Sequence, residues 1–195
     1  MSNTMKKINI RFSVILLMVV IAGFSRMGVH VDNFTPIGAM ALFGGAYFSE
    51  KWKAYLLPLF SLFLSDMIIQ GIIFEGKYGF PLYDSWYWVY GTFAIIVFSG
   101  KCIIKKVTIK NIVFASVTAA LVHWSITDFG VWLVGCTDIT TGMLYTNDLQ
   151  GLVKCYYMAL PYLKDFLLGT LFYSAIMFGA FELAKRKFPV LTVQQ

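Results

Sequence analysis

Six apolar stretches, about residues 10–28, 35–49, 54–74, 84–101, 111–134 and 161–184, succeed one another along the chain. A helix needs about 20 residues to cross a hydrocarbon core of about 30 Å. None of the stretches alternates as a barrel strand would. The spacing predicts an all-α polytopic membrane protein with six transmembrane helices, residues 1–195 forming a single integral membrane domain. Composition agrees: 58% of residues are apolar and 13% charged, whereas soluble domains are usually about a quarter charged.

Charge orders the crossings. Twelve of the sixteen basic residues form four clusters at every second gap: Lys6, Lys7 and Arg11; Lys51 and Lys53; Lys101, Lys105, Lys106 and Lys110; Lys185, Arg186 and Lys187. Arg26, Lys77, Lys154 and Lys164 lie at or near the other gaps, with eight of the ten acids. Cytoplasmic loops carry the Lys/Arg excess, so both termini are read as cytoplasmic in an inner, plasma membrane crossed several times. The clusters flank spans and do not line one face, so nucleic acid is not the expected partner; membrane lipid is. The first stretch could be a signal peptide, but Ala22-Gly23-Phe24-Ser25 is a poor cleavage site, and retention is expected.

The second stretch is short. Pro36 to Phe48 spans 13 residues, about 20 Å of helix. Thr35-Pro36 reads as an N-cap followed by proline at the first helical position, entered through irregular backbone at Val29–Phe34. Ala41 and Gly45 make a small-xxx-small pair, suited either to tight packing within the bundle or to docking a partner. Between the last two stretches, Asp148–Leu160 is read as a short interfacial helix able to cover an outward pocket.

Ionisable groups within spans are functional candidates by default. Here they are Asp66, His123, Asp128, Lys164 and Asp165, with Arg26 at the end of the first span. Gln70 lies one turn beyond Asp66, and His123, Thr127 and Asp128 share a stripe beside Trp124. The ligand-binding candidates are Asn33, Asp66, Gln70, His123, Trp124, Thr127, Asp128, Lys164 and Asp165, with Trp124, Trp132, Tyr87 and Tyr90 as apolar walls. Structural alternatives are an ion pair of Asp66 with Arg26 or Lys164 and a neutral His123 bonded to a neighbouring helix. No Gly-x-Ser-x-Gly elbow, His-Glu-x-x-His pair or Walker loop occurs, so no enzyme activity and no cofactor is expected. Cys102, Cys136 and Cys155 lack metal-site spacing, and Cys136 and Cys155 fall on the same side and are placed where they could pair.

Asn33-Phe34-Thr35-Pro36-Ile37-Gly38-Ala39-Met40-Ala41-Leu42-Phe43-Gly44-Gly45-Ala46-Tyr47-Phe48 resembles the signature of an uncharacterised family of small bacterial inner-membrane proteins. Ser65-Asp66, Asp128-Phe129-Gly130-Val131-Trp132-Leu133, Gly151-Leu152, Cys155-Tyr156, Ala159-Leu160-Pro161-Tyr162 and Gly169-Thr170-Leu171-Phe172-Tyr173 continue the likeness over nearly the whole chain. The family commonly has Asn where Asp128 stands and Asp where Thr170 stands. Size, six helices and the short second helix resemble the substrate-binding S components of energy-coupling-factor vitamin transporters. That likeness implies outward capture of a vitamin-like molecule. It also implies partnership with a coupling protein and two ATPases, docking on helix faces such as Ala41/Gly45. Some relatives of S components hold cobalamin through a cysteine thiolate on cobalt, and Cys155 is the position this would single out; no other metal site is expected. The expected function is a substrate-binding membrane transport protein of S-component type. The alternative is a non-transporting envelope scaffold or assembly protein.

Overall fold

The structure is a computed structural model that describes residues 3–28, 33–77, 79, 81–83, 85–138 and 140–192, with residues 3–9 described by their backbone alone. Among these residues the chain forms seven α-helices and no strand: α1 (Asn3–Ser25), α2 (Ile37–Tyr47), α3 (Lys51–Ile68), α4 (Trp86–Ile103), α5 (Ile109–Leu133), α6 (Leu149–Met158) and α7 (Leu160–Lys187). A π-helical turn, Ile69–Ile73, prolongs α3. The short helix expected at Asp148–Leu160 is α6, and the sixth apolar stretch is α7. Most of the irregular entry to α2 lies outside the described residues.

Four segments are long and apolar enough to cross a membrane: Ile10–Gly28, Lys51–Ile73, Ile109–Leu133 and Leu160–Lys187. α4 has 18 residues, but Trp86, Tyr87, Trp88 and Tyr90 in its first turns, residues suited to an interface, hold its hydropathy down. α2 has 11 residues, about 16 Å of helix.

The long helices run antiparallel. One end of the bundle gathers the starts of α1, α3 and α5 and the finishes of α2, α4 and α7, with the basic clusters; it is called the basic end below. The loop end carries Arg26, the α3–α4 connection, residues 135–147 and α6.

At the centre lies α2, buried along nearly its whole length and packed by α1, α3, α4, α5 and α7. Such enclosure demands that backbones approach closely. A Cβ placed on Gly45 would stand 2.2 Å from the Val97 carbonyl oxygen, and one on Gly100 would stand 2.8 Å from Leu42 Cα. Gly44 admits the Pro58 ring of α3. Ala41 is fully buried and Gly45 meets the α4 backbone, so the small-residue pair is spent inside the molecule. The docking face suggested for Ala41 and Gly45 is therefore corrected: no partner reaches them in this arrangement.

α2 also starts one residue later than its sequence suggests. Pro36, in helical conformation, is its N-cap, and the Thr35 hydroxyl makes no capping bond.

The outer surface inverts the pattern of a soluble helix bundle. α5 turns Ala115, Ser116, Ala119 and Ala120 inward, and Val113, Phe114, Val117 and Leu121 outward. On α7, Ser174 and Thr170 are buried while Leu168, Phe172 and Ile176 are exposed. A surface this apolar is adapted to lipid. At the basic end Phe43, Tyr47, Phe178 and Phe181 cluster with centroids 4.6–5.8 Å apart, edge to face except for the tilted Tyr47–Phe178 pair. There Tyr47 also donates its hydroxyl proton to Glu182, which pairs with Lys185.

Gly45→Ala forces a methyl group against the α4 backbone and is expected to destabilise the protein by about 1–3 kcal/mol. Gly179→Ala, where nothing lies within 4 Å of the added carbon, is expected to cause no loss. Unfolding in detergent distinguishes them, and equal stability of the two variants contradicts the packing.

Candidate functional site

The candidate residues separate into two groups. Asp66, on α3, is 2% exposed and its carboxylate is fully engaged. Arg26 donates from Nη1 to Asp66 Oδ1 at 2.6 Å and to Ser65 Oγ at 2.9 Å. The Tyr90 hydroxyl, from α4, donates to Asp66 Oδ2 at 2.9 Å. This network ties the loop ends of α1, α3 and α4 together. The ion pair is with Arg26; Lys164 instead lies 3.7 Å from Asp165, with its own side chain largely in solvent. Gln70 is buried in the π-helical turn, and its Oε1 finds no partner.

His123 stacks flat on Phe166, with ring centroids 4.1 Å apart. Thr127 turns its hydroxyl back to the His123 carbonyl at 2.6 Å. Trp124 packs edge-on against Tyr156 of α6 at 4.9 Å. His123 thus joins α5 to α7 and Trp124 joins it to α6, while Thr127 bonds within α5, and none of the three lines the neighbouring cavity.

Asp128 differs. It lines a cavity of about 430 Å³ at the loop end, together with Asn33, Val131, Thr137, Tyr145, Cys155, Met158, Ala159 and Tyr162. Among the described residues its carboxylate has no hydrogen bond or ion pair. Asn33 stands at φ +57°, a left-handed conformation that asparagine tolerates better than most residues.

The cavity wall is held by short-range chemistry. Asp148 caps α6 by accepting from the Gly151 N–H at 2.7 Å. Tyr156 donates to the Ser125 carbonyl at 2.6 Å, and Cys155 Sγ lies 3.5 Å from the Asp128 carbonyl it donates to. Trp132 donates to the Thr146 carbonyl at 3.0 Å, closing the 135–147 loop onto α5. Asp138, 2% exposed, pairs with Lys154 of α6 and accepts from the backbone N–H and hydroxyl of Thr140. Lys154 first, then Thr140, hold its carboxyl well below the usual range.

Cys155 and Cys136 are both free. Burial, helped by the charge of Asp128, pushes the Cys155 thiol up to about 11, so at neutral pH the free group is a thiol. Among the described residues no three His, Cys, Asp or Glu side chains converge.

A model described as a family of unknown function, DUF6580, matches residues 6–191. The chain belongs to that family. No curated protein and no solved structure matches it.

In this DUF6580 member the cavity gathers Asn33 and Asp128 from the expected set, together with Cys155. The expected apolar walls lie elsewhere: Tyr90 serves Asp66, Trp132 and Trp124 fasten the 135–147 loop and α6, and Tyr87 is exposed. Sequence reasoning missed Thr137, Tyr145, Met158 and Tyr162. For Thr137, Tyr145 and Met158 the one signal was membership of the long segment between the last two spans; Tyr162 stands at the start of the last span.

Arg26→Met leaves a buried carboxylate unpaired and is expected to cost about 3–5 kcal/mol. The double variant Arg26→Met/Asp66→Leu is expected to recover most of that loss; unfolding in denaturant reads it, and equal losses in both contradict a coupled pair. The lowered titration of Asp138 means its stabilising effect is present at neutral pH and disappears as pH falls below the ordinary carboxylate range, about 4. Asp138→Asn is therefore expected to speed amide exchange in α6 at pH 7, with the difference fading toward pH 3. A difference independent of pH contradicts the ion pair.

Proposed function

We propose that this protein is a substrate-binding membrane transport protein that captures a small molecule at the outer face of a bacterial inner membrane. In this reading α1 to α5 and α7 make six crossings, α2 as a short central one, with both termini cytoplasmic. The basic clusters gathered at one end support that orientation, because Lys/Arg excess marks the cytoplasmic side. The loop end, with its cavity, then faces outward.

One observation carries the proposal: a preformed cavity of about 430 Å³, walled by α6 and the 135–147 loop and bearing a carboxylate with no partner among the described residues. Small-molecule sites are typically clefts of about 300–1,000 Å³ with mainly apolar walls and a few placed polar groups. Val131, Met158, Ala159 and the rings of Tyr145 and Tyr162 supply the walls; Asp128, Asn33 and Thr137 supply the polar groups. The short buried α2 and a pocket at the outward end fit an S-component type of carrier, working with a coupling protein and two ATPases. Such a partner would dock on a surface other than Ala41 and Gly45.

The scaffold reading gains support from the Arg26–Asp66–Tyr90 network, whose groups are all occupied by one another. That network is read here as the fastening of the loop end, which leaves Asp128 and its neighbours for the ligand.

Met158→Trp fills the cavity. Native mass spectrometry of protein released gently from its membrane is expected to show a bound small molecule in the parent and none in the variant, at unchanged melting temperature. A parent that carries and binds no small molecule, or a variant that retains it, contradicts the proposal.

A further inference from the structure

We infer that the ligand of the outer cavity is a compact organic cation, an amine or quaternary ammonium on an apolar or aromatic body. The inference rests on the reading of the cavity as a small-molecule site, and deepens it through the chemistry of the wall. Asp128 brings the cavity a carboxyl group, and among the described residues no lysine, arginine or histidine lines it. The basic groups nearest in sequence are engaged elsewhere: Lys154 with Asp138, and Lys164, on the exposed side of α7, with Asp165. A half-buried carboxylate with no partner among the described residues is stabilised when a counter-charge, and better still one with hydrogen-bond donors, is supplied. A ligand ammonium group supplies both, and a quaternary ammonium supplies the charge.

The remaining wall agrees with a cation and disagrees with the other ligand classes. Tyr145 and Tyr162 present aromatic rings, whose faces attract a cation within about 6 Å of the centroid. Val131, Met158 and Ala159 provide apolar contact but nothing to hydrogen-bond a sugar-like surface. Asn33, Thr137, the hydroxyls of Tyr145 and Tyr162 and the Cys155 thiol are the other polar groups of the wall, enough to orient a few ligand groups. An anionic ligand would face the Asp128 charge with no basic residue to offset it. The Cys155 thiol donates to the Asp128 backbone carbonyl and leaves the carboxylate oxygens to the ligand.

Matched triads test this on the full-length protein in mild detergent: phenethylamine, phenethyl alcohol and hydrocinnamate, and tryptamine, tryptophol and indoleacetate. Calorimetric titration is expected to give the amine of each triad at least about tenfold tighter binding than its alcohol, with the carboxylate weakest. Asp128→Asn is expected to weaken the amines by about ten- to a hundredfold, leaving the alcohols and the melting temperature unchanged. Alcohols bound as tightly as amines, carboxylates bound tightest, or an amine preference that survives Asp128→Asn overturns the cation while the cavity reading stands. Failure of every compound to bind the parent overturns both. If Asp128→Asn does not fold, Tyr145→Leu serves: it is expected to weaken the amine more than the alcohol, and equal weakening overturns the inference.

Discussion

The close approach of α2 to its neighbours is the constraint on which the rest of the molecule depends. Eleven residues lie inside a ring of longer helices, and they fit because glycine removes side chains where backbones meet. The contact is reciprocal on α4: Gly45 of α2 opens onto Val97, and Gly100 of α4 opens onto Leu42. Inside a membrane the apolar effect gives helices little reason to associate, so packing of this kind and a few polar ties decide the arrangement. Here the ties stand at opposite ends. Arg26, Asp66 and Tyr90 fasten the loop end, while Tyr47, Glu182 and Lys185 fasten the basic end. A helix this short leaves the loop end to be closed by other parts, and α6 with the 135–147 loop takes that place.

Much of the fold was legible in the residues. Apolar stretches located every long helix, Asp148 marked the start of α6, and the smallness of Ala41 and Gly45 announced a close packing partner. What sequence left open was the identity of that partner. Small residues look the same whether they face a neighbouring helix or another protein, and burial against α4 decides for the neighbour. The candidate site was legible in part. Charged residues within spans stood out, but their pairing depends on which helices adjoin. Arg26 and Asp66 lie 40 positions apart and meet only because α1 and α3 pack together. Tyr145 and Tyr162, by contrast, carry no charge and follow no helical stripe with Asp128. Only the fold of the 135–147 loop and the turn into α7 brings them to the cavity wall.

Dividing the polar residues by occupancy gives the account its functional content. Asp66 and Asp138 are saturated by cations and hydroxyls and hold the structure. Asp128, beside a cavity, has no partner among the described residues. Whether the proposed site meets its ligand from outside depends on the orientation of the chain, and the proposed orientation, with the basic clusters cytoplasmic, turns the loop end outward. The most direct measurement is labelling of Met143→Cys, at a position 73% exposed on the loop over the cavity, in a chain whose three native cysteines are replaced. A membrane-impermeant maleimide added to spheroplasts is expected to label this cysteine at once, without permeabilisation. Labelling that appears only after the membrane is opened would place the cavity on the cytoplasmic side and contradict the account.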